Sequence, residues 1–373
     1  MGTQISVYDR VSQARMLLVE DNRPFLLRER YFPTLEPRDL FVSKSVLLDF
    51  DEGDFLPGAF VTRGYVGGNT TTFYANNVVP PRVAPSDAID TDDKDRQLFE
   101  SLCQNDLSPD HADAMNALLT IKGKRLLARV SRSIEKLIVS ALQNNAIQFT
   151  CDHSPTDHTQ DTIDIEYFDS SNGGTNPQVF TPVHNWGTEG ATPYADVCKM
   201  ITTLVNHGGQ GVDLLMSETM WGYLYHDMIT NTFKDQINYT GVANGNVRDL
   251  FSAEIDGAKC VGGAQFNGHY LNLIVYNAGF QESKAAPFTL YLPNDFVCVL
   301  APGCGRTLCG ACTLPNPYAI VDEKAAAVKQ IAAPAILYRF IDVDHERVEL
   351  RCQANPLPAP LSAWRWISYK SAA

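Results

Sequence analysis

Residues 108–145 read SPDHADAMNALLTIKGKRLLARVSRSIEKLIVSALQNN, and the rest of the chain has to be arranged around this run. Ser108 stands as an N-cap, Pro109 takes the first helical position, and Asp110 and Asp113 fall in the first turn. The serine hydroxyl can accept from an orphan N–H, the missing proline N–H is harmless there, and the acids suit the positive end of the helix dipole. At ~1.5 Å per residue the predicted helix spans roughly 55 Å, longer than a small domain is wide. Its apolar positions are Met115, Leu119, Leu126, Val130, Ile134, Leu137 and Ala141, spaced mostly by threes and fours. A second stripe, Lys122, Arg125, Arg129, Arg132 and Lys136, repeats at the same spacing. A helix apolar on one side and cationic on the other is expected to lie on a surface rather than to act as a core rod. Gly123 costs roughly 1 kcal/mol relative to Ala, which predicts a bend there. The plain reading of the cationic stripe, a solvated face on an ordinary helix, stays open.

The remaining composition bounds the class of protein. The chain has 373 residues, 45% hydrophobic and 20% charged, enough for a sizeable core in two or three lobes. A net charge of −13 argues against a nucleic-acid-binding protein of the usual basic kind. No apolar run approaches the ~20 residues a membrane span needs. The start, MGTQISVYDR, lacks a basic region followed by an apolar core, so synthesis in a cytoplasm is expected. Nine cysteines is an odd and modest number, pointing to reduced thiols. Cys304, Cys309 and Cys312 have the C-x4-C-x2-C spacing of an iron–sulfur site, with Cys352 downstream. The bland alternative, small buried hydrophobes in a Gly/Pro-rich loop, accounts for them as well.

Upstream of the helix, residues 11–27 have an amphipathic pattern. The segment YFPTLEP at 31–37 reads as an extended arm whose Tyr31, Phe32 and Leu35 are exposed and lie along something else. Strands are expected at 41–50, 59–66 and 70–74, with turns at 51–54, 57–58 and 67–69. Together they make a long two-stranded projection that needs a partner for stability. Residues 82–107 read as acidic and loop-like, ending in a short helix that leads to the long one. Downstream, strands are expected at 146–151 and 162–168, with Asp164 and Glu166 facing solvent. The connector CDHSPTDHTQD offers His153, Asp157, His158 and Asp161 as zinc ligands or, more simply, as a polar hairpin tip. After a Gly/Asn-rich boundary at 170–192 the pattern turns α/β. A helix is capped by Thr192 and Pro193 with Val197, Ile201 and Val205 inward, and a strand follows at 212–216. Ser217 caps a second helix, on which Trp221, Tyr225 and His226 are expected to pack. Further strands are placed at 259–266, 270–276, 295–300, 335–340 and 347–352, and a last one follows LPAP. No Walker loop, G-x-S-x-G elbow, H-E-x-x-H or dinucleotide fingerprint occurs. Composition and spacing thus indicate a structural, self-associating protein and not an enzyme, with no cofactor.

Four stretches carry a family resemblance: VTRGYVGGNTTTFYANNVVPPRV (61–83), ALQNNAIQF…IDIEYFD (141–169), WGTEGATPYADVCKMI (186–201) and AKCVGGAQFNGHYLNLIVYNAGF…FTLYLPNDFVCVLAPG (258–303). In this order the chain resembles the major capsid protein of lambda-like tailed phages, the capsid E family, with the Hong Kong 97-type shell fold. The resemblance implies an α+β fold: an N-terminal arm at 1–40, an extended β-hairpin loop at 41–80, a peripheral domain at 81–184 built on the spine helix, and an α/β axial domain at 185–330. C-terminal strands at 331–373 would complete both lobes. It further implies pentamers and hexamers of an icosahedral phage head around double-stranded DNA. A scaffolding protein, a portal and a decoration protein would be partners, without a membrane, in a virion assembled in host cytoplasm. Tyr31, Phe32 and Leu35 of the arm, and Phe55, Leu56, Phe60, Arg63, Tyr65, Phe73 and Tyr74 of the loop, would touch neighbouring subunits. Lys122, Arg125, Arg129, Arg132 and Lys136 would face DNA phosphate or an acidic scaffold, or else form intersubunit ion pairs with the acidic run 87–95. Some relatives weld the shell through a lysine in the extended loop; residues 45–93 contain none. Two alternatives remain: an encapsulin-type nanocompartment shell, and a metal enzyme on the Cys304–Cys312 loop.

Overall fold

The computed structural model describes residues 25–35, 37–51, 73–89, 111–152, 160–167, 178–232, 257–281, 286–315, 328–342, 347–361 and 364–371. The Ser108 cap, the loop residues Phe55, Leu56, Phe60, Arg63 and Tyr65, the acidic run beyond Ile89 and the His153–His158 tip lie outside them.

The long helix α1 (His111–Asn144) is one continuous element. Leu119, Leu126, Val130, Ile134, Leu137 and Ala141 are all buried along it, as their spacing requires. The expectation of a surface helix fails from Leu126 onward. Ser131, Glu135, Ile138, Val139 and Leu142 are buried too, so the helix is a rod between two cores. One core takes Leu126, Val130, Ile134, Ile138 and Leu142; the other takes Leu137 and Ala141 with Ile147, Ile165, Tyr167, Leu357 and Ala359. The charged stripe is narrow, which leaves most of the circumference free to pack. Gly123 is explained by close approach: a Cβ there would stand 2.9 Å from Leu337 Cδ2, where a strand pair crosses the helix.

That strand pair belongs to a three-stranded antiparallel sheet of β3 (Ser86–Ile89), β17 (Arg347–Gln353) and β16 (Ile336–Asp342). Strand β3 corrects the reading of 82–107 as loop. After α1, Asn145 turns the chain at φ 50° into the antiparallel pair β4 (Ala146–Asp152) and β5 (Gln160–Glu166). Ile165 is buried there while Asp164 and Glu166 are exposed. The projection keeps two legs, β1 (Val46–Asp51) and β2 (Phe73–Val78), antiparallel from Val46↔Val78 to Asp51↔Phe73.

The second layer is a six-stranded mixed sheet in the order β6-β19-β12-β7-β9-β8. Its strands are β6 (Val179–Phe180), β7 (Asp213–Met216), β8 (Ala258–Phe266), β9 (His269–Tyr276), β12 (Val297–Leu300) and β19 (Trp366–Tyr369). Side chains on successive strand residues alternate between faces, and here both faces are buried. Leu214, Met216, Leu273, Val275, Val297, Val299, Ile367 and Tyr369 pack against helices α2 (Pro193–Asn206) and α3 (Glu218–Asp227). Their neighbours Leu215, Ile274, Tyr276, Cys298, Leu300 and Trp366 join the core that contains α1. Strand β9 returns parallel to β7 after a connection that includes α3, the crossover a parallel pair requires. Ser217 caps α3, its Oγ accepting from Met220 N at 3.3 Å. Thr192 precedes α2 without a side-chain cap bond. Val205 is 38% exposed; the buried face of α2 is Val197, Met200, Ile201 and Leu204.

The Gly/Pro-rich region 301–315, read as loop, forms β13 (Gly305–Cys309) and β14 (Cys312–Pro315). Strand β14 pairs with β15 (Val328–Ile331), and β13 pairs with β18 (Pro356–Pro360). Three prolines sit inside β18, where a stop was expected. A two-stranded ribbon needs ladder bonds on only one side, so prolines are tolerated. Between β9 and β12 a small hairpin joins β10 (Gly279–Phe280) to β11 (Thr289–Leu290).

Candidate functional site

The five residues of the cationic stripe on α1, Lys122, Arg125, Arg129, Arg132 and Lys136, do not form one accessible row. Lys122 is 4% exposed and lies 3.9 Å from Asp87 of β3, so it is not offered to an outside anion. Its pairing with the acidic run takes place inside one chain. Arg125, Arg129 and Lys136 are exposed and Arg132 is half-buried. Arg129 donates to Ser86 O at 3.4 Å, and Lys136 Nζ lies 5.1 Å over the Phe280 ring. Four cations thus remain on one face.

The arm is the largest correction. Tyr31 and Phe32 are both 0% exposed and packed inside their own chain; only Leu35, at 45%, stands out. A tight π-turn, Leu27–Tyr31, presents its first amides to the long helix. Glu135 Oε1 accepts from Leu27 N at 3.1 Å and from Arg28 N at 3.3 Å, and Arg28 donates to Ser131 Oγ at 2.8 Å. At its other end the turn reaches the six-stranded sheet. Arg30 Nε meets Asp213 Oδ2 at 2.7 Å, Tyr31 OH donates to the same oxygen at 3.0 Å, and Asn272 donates to Asp213 Oδ1 at 2.8 Å. Burial, reinforced by Asp213, holds the Tyr31 phenol well above its ordinary range. Burial alone would lower the Arg30 guanidinium, but the bond to Asp213, the Asp213 charge and Tyr31 together outweigh it and hold the group above its usual value. Phe32 packs on Trp366 with centroids 5.8 Å apart, and its carbonyl accepts from Thr307 Oγ1 at 2.8 Å.

Sequence reasoning missed Glu135, Arg30 and Asp213. Two signals were available: Glu135 shares a helical row with Ser131, Ile138 and Leu142, and Asp213 opens the otherwise apolar strand DLLM.

Of the loop residues, Phe73 and Tyr74 lie in β2; their side chains fall outside the described set. The legs are rooted at Val46, which is buried with Leu137, Ala141 and Ile147. Beside the root, Val42 and Val79 are 70% and 65% exposed. A second apolar feature runs from α3 into the π-helical turn Met228–Thr232 that follows it, where Trp221, Tyr225 and Ile229 follow at intervals of four. Trp221 packs against Tyr225 at 5.3 Å, yet Tyr225 is 43% and Ile229 51% exposed. Tyr225 and His226 therefore do not pack inward as expected.

The cysteine loop does not gather a ligand set. Cys304, Cys309, Cys312 and Cys352 are buried, and the described cysteines form no disulfide with one another. Cys304 donates to Tyr31 O, Cys309 to Thr307 O and Cys312 to Gln353 O. Burial pushes the Cys312 thiol up to about 11 and the Cys352 thiol up to about 12, away from the thiolate a metal takes. Among the described residues no three His, Cys, Asp or Glu side chains are grouped to hold a metal ion, and no helix is long and apolar enough to cross a membrane.

The family model described as phage major capsid protein E matches residues 12–371. No curated protein matches the chain. Among solved structures, a prophage capsid protein of Escherichia coli is 14% identical, with a TM-score of 0.57 over 94% of this chain and 93% of that one. At that identity the likeness is one of fold. A phage-related protein of Bordetella bronchiseptica is 10% identical over 98% of each chain, with a TM-score of 0.48. An encapsulin of Synechococcus elongatus reaches a TM-score of 0.35 at 8% identity, over 99% of this chain and 91% of that one.

Proposed function

The chain belongs to the family of phage major capsid protein E, and on that premise we propose that it builds the pentamers and hexamers of an icosahedral head around double-stranded DNA. The observation that carries this reading is the family match across residues 12–371. Its role is structural, in the capsid of a virion, and its principal partner is itself. The geometry agrees with a division of labour along the chain. Legs β1 and β2 root a loop that lies over a neighbouring subunit. The helix α1 with β3, β16 and β17 forms the peripheral part, and the six-stranded sheet with α2 and α3 forms the axial part around the symmetry centres. The exposed apolar residues Leu35, Val42, Val79, Tyr225 and Ile229 are the subunit contacts this division supplies.

Assembly runs in host cytoplasm with a scaffolding protein and a portal, and a decoration protein completes the shell. Arg125, Arg129, Arg132 and Lys136 offer phosphate or an acidic scaffold segment a non-specific cationic face, while the net-acidic surface keeps packaged DNA from adhering. Reversing charge in Arg129→Glu/Arg132→Glu is expected to lower packaged DNA or particle yield; unchanged assembly and packaging would remove this role. With no lysine in 45–93, non-covalent clamping holds the shell. Mature particles boiled in detergent are therefore expected to run as one band near 41.2 kDa, and a ladder of multimers would defeat this.

Electron microscopy of the chain expressed alone and with its neighbouring genes tests the whole. Closed icosahedral particles that protect double-stranded DNA from nuclease are expected. A compact monomer at high concentration would overturn the reading, and particles filled with an enzyme cargo would replace it with a nanocompartment.

A further inference from the structure

Charge is segregated along this chain. Lys122, Lys124, Arg125, Arg129, Arg132 and Lys136 all fall in one stretch of α1, and then no lysine or arginine occurs from 137 to 198. The β4–β5 ribbon lies inside that cation-free run, and residues 146–169 carry Asp152, Asp157, Asp161, Asp164, Glu166 and Asp169.

Within one subunit the ribbon turns Asp164 and Glu166 away from the helix. Ile147 and Ile165 pack with Leu137 and Ala141 of α1, and alternation along a strand sends their neighbours the other way. Gln148, Asp164 and Glu166 are accordingly exposed, with Asp164 opposite Gln148 and Glu166 opposite Ala146 in the ladder. The cationic row Arg125, Arg129, Arg132 and Lys136 points elsewhere, about a third of a turn round the helix from Leu137 and Ala141. Each copy therefore presents an acidic sheet face and a cationic helix face in different directions. Copies that each carry a net charge of −13 repel one another, and a contact that joins these two faces offsets that repulsion.

We propose that the outer face of the β4–β5 ribbon of one copy docks on the cationic row of α1 in the next, with Asp164 and Glu166 against Arg125 and Arg129.

The dimensions match. Successive cations of the row are about 5–6 Å apart along the axis, and Asp164 and Glu166 are about 7 Å apart along β5. Arg125 and Arg129 are both exposed, and the Arg129 bond to Ser86 O, at 3.4 Å, goes to a neutral carbonyl and leaves its charge uncompensated. Because the two faces differ, the contact is head-to-tail and closes into a ring where copies surround a symmetry axis. One exposed ion pair is weak, but a shell repeats it in every subunit. The contact rests on the capsid reading and narrows it, since it names the acid that occupies the cationic row in the shell.

Charge-swap assembly of the full chain, expressed with its neighbouring genes, tests it, with particles counted by sedimentation and electron microscopy. Arg125→Glu/Arg129→Glu alone and Asp164→Lys/Glu166→Lys alone are each expected to lower particle yield by about tenfold or more, because like charges then face each other. The chain carrying all four substitutions is expected to return to within about threefold of the wild-type yield. Urea unfolding of the unassembled chains checks that the variants fold. Should the ribbon variant fail to fold, Asp164→Asn/Glu166→Gln replaces it; its yield is expected to fall and to lose its sensitivity to salt, and full yield overturns the contact. Absence of recovery in the combined variant overturns it too. So does a normal yield of α1-variant particles that hold less DNA, which gives the row to phosphate. Loss confined to the α1 variant, with the ribbon variant at full yield, gives the row to a scaffold segment and also rejects the contact. A wild-type chain that forms no particles defeats the capsid reading and the contact with it, whereas wild-type particles without recovery defeat the contact alone.

Discussion

The turn at 25–35 and the β1–β2 legs both read, from sequence, as segments that leave their own subunit. They end up in opposite situations. The turn is only five residues of helix, Leu27–Tyr31, yet Leu26, Leu27, Tyr31 and Phe32 are fully buried, and buried acids on two different elements hold it at both ends. The legs form a regular ladder of six residue pairs and, among the described residues, pair only with each other. An isolated two-stranded ribbon is marginal in water, so the regular element is the dependent one. Regularity says little about who stabilises a segment; matched polar hooks and buried rings say more.

Breaking the turn should cost the most. Arg30→Ala leaves the Asp213 charge buried without its cation, for an expected loss of about 3–5 kcal/mol. Urea unfolding of the full chain measures it, and a loss below 1 kcal/mol would place Arg30 outside the clasp. Phe32→Ala empties the site against Trp366 and should cost a similar amount, about 3–5 kcal/mol; a smaller effect would mean the pocket collapses around the missing ring. Gly123→Ala sits away from the turn and sets the scale for ordinary packing. The gain of roughly 1 kcal/mol in helix propensity opposes crowding against the flexible end of Leu337. A change within about 1 kcal/mol is therefore expected, and a severe loss would show that the β16–β17 crossing cannot yield. Smallest for the folded subunit are Val42→Asp and Val79→Asp, at about 0.5 kcal/mol or less. If the exposed root of the legs meets a neighbour, the same substitutions reduce particle yield strongly while leaving monomer unfolding unchanged. Full yield of particles would erase the contrast between the two regions.

Much of the secondary structure could be read in advance, because its signals are local. The period of α1, the Ser217 cap and the apolar runs of β7, β9 and β12 each follow from residues within a few positions of one another. The strands β3, β13, β14 and β18 could not be read this way. They are short, rich in Gly, Pro or Asp, and formed only because a partner strand lies alongside. The same divide runs through the candidate site: the cations of α1 were visible in their spacing, but the burial of Lys122 depends on Asp87.

By itself the sequence determined that a long amphipathic helix precedes an α/β region, that a strand pair projects from it, and that its order of parts is that of a phage capsid family. Only the tertiary structure decided that the helix is a core rod, that Tyr31 and Phe32 face inward, and that Glu135 and Asp213 are clasps. The reason lies in range. Helical and strand periods are written in neighbouring residues, whereas Arg30 and Asp213 are 183 positions apart in the chain, and no local pattern records which acid a distant guanidinium will meet.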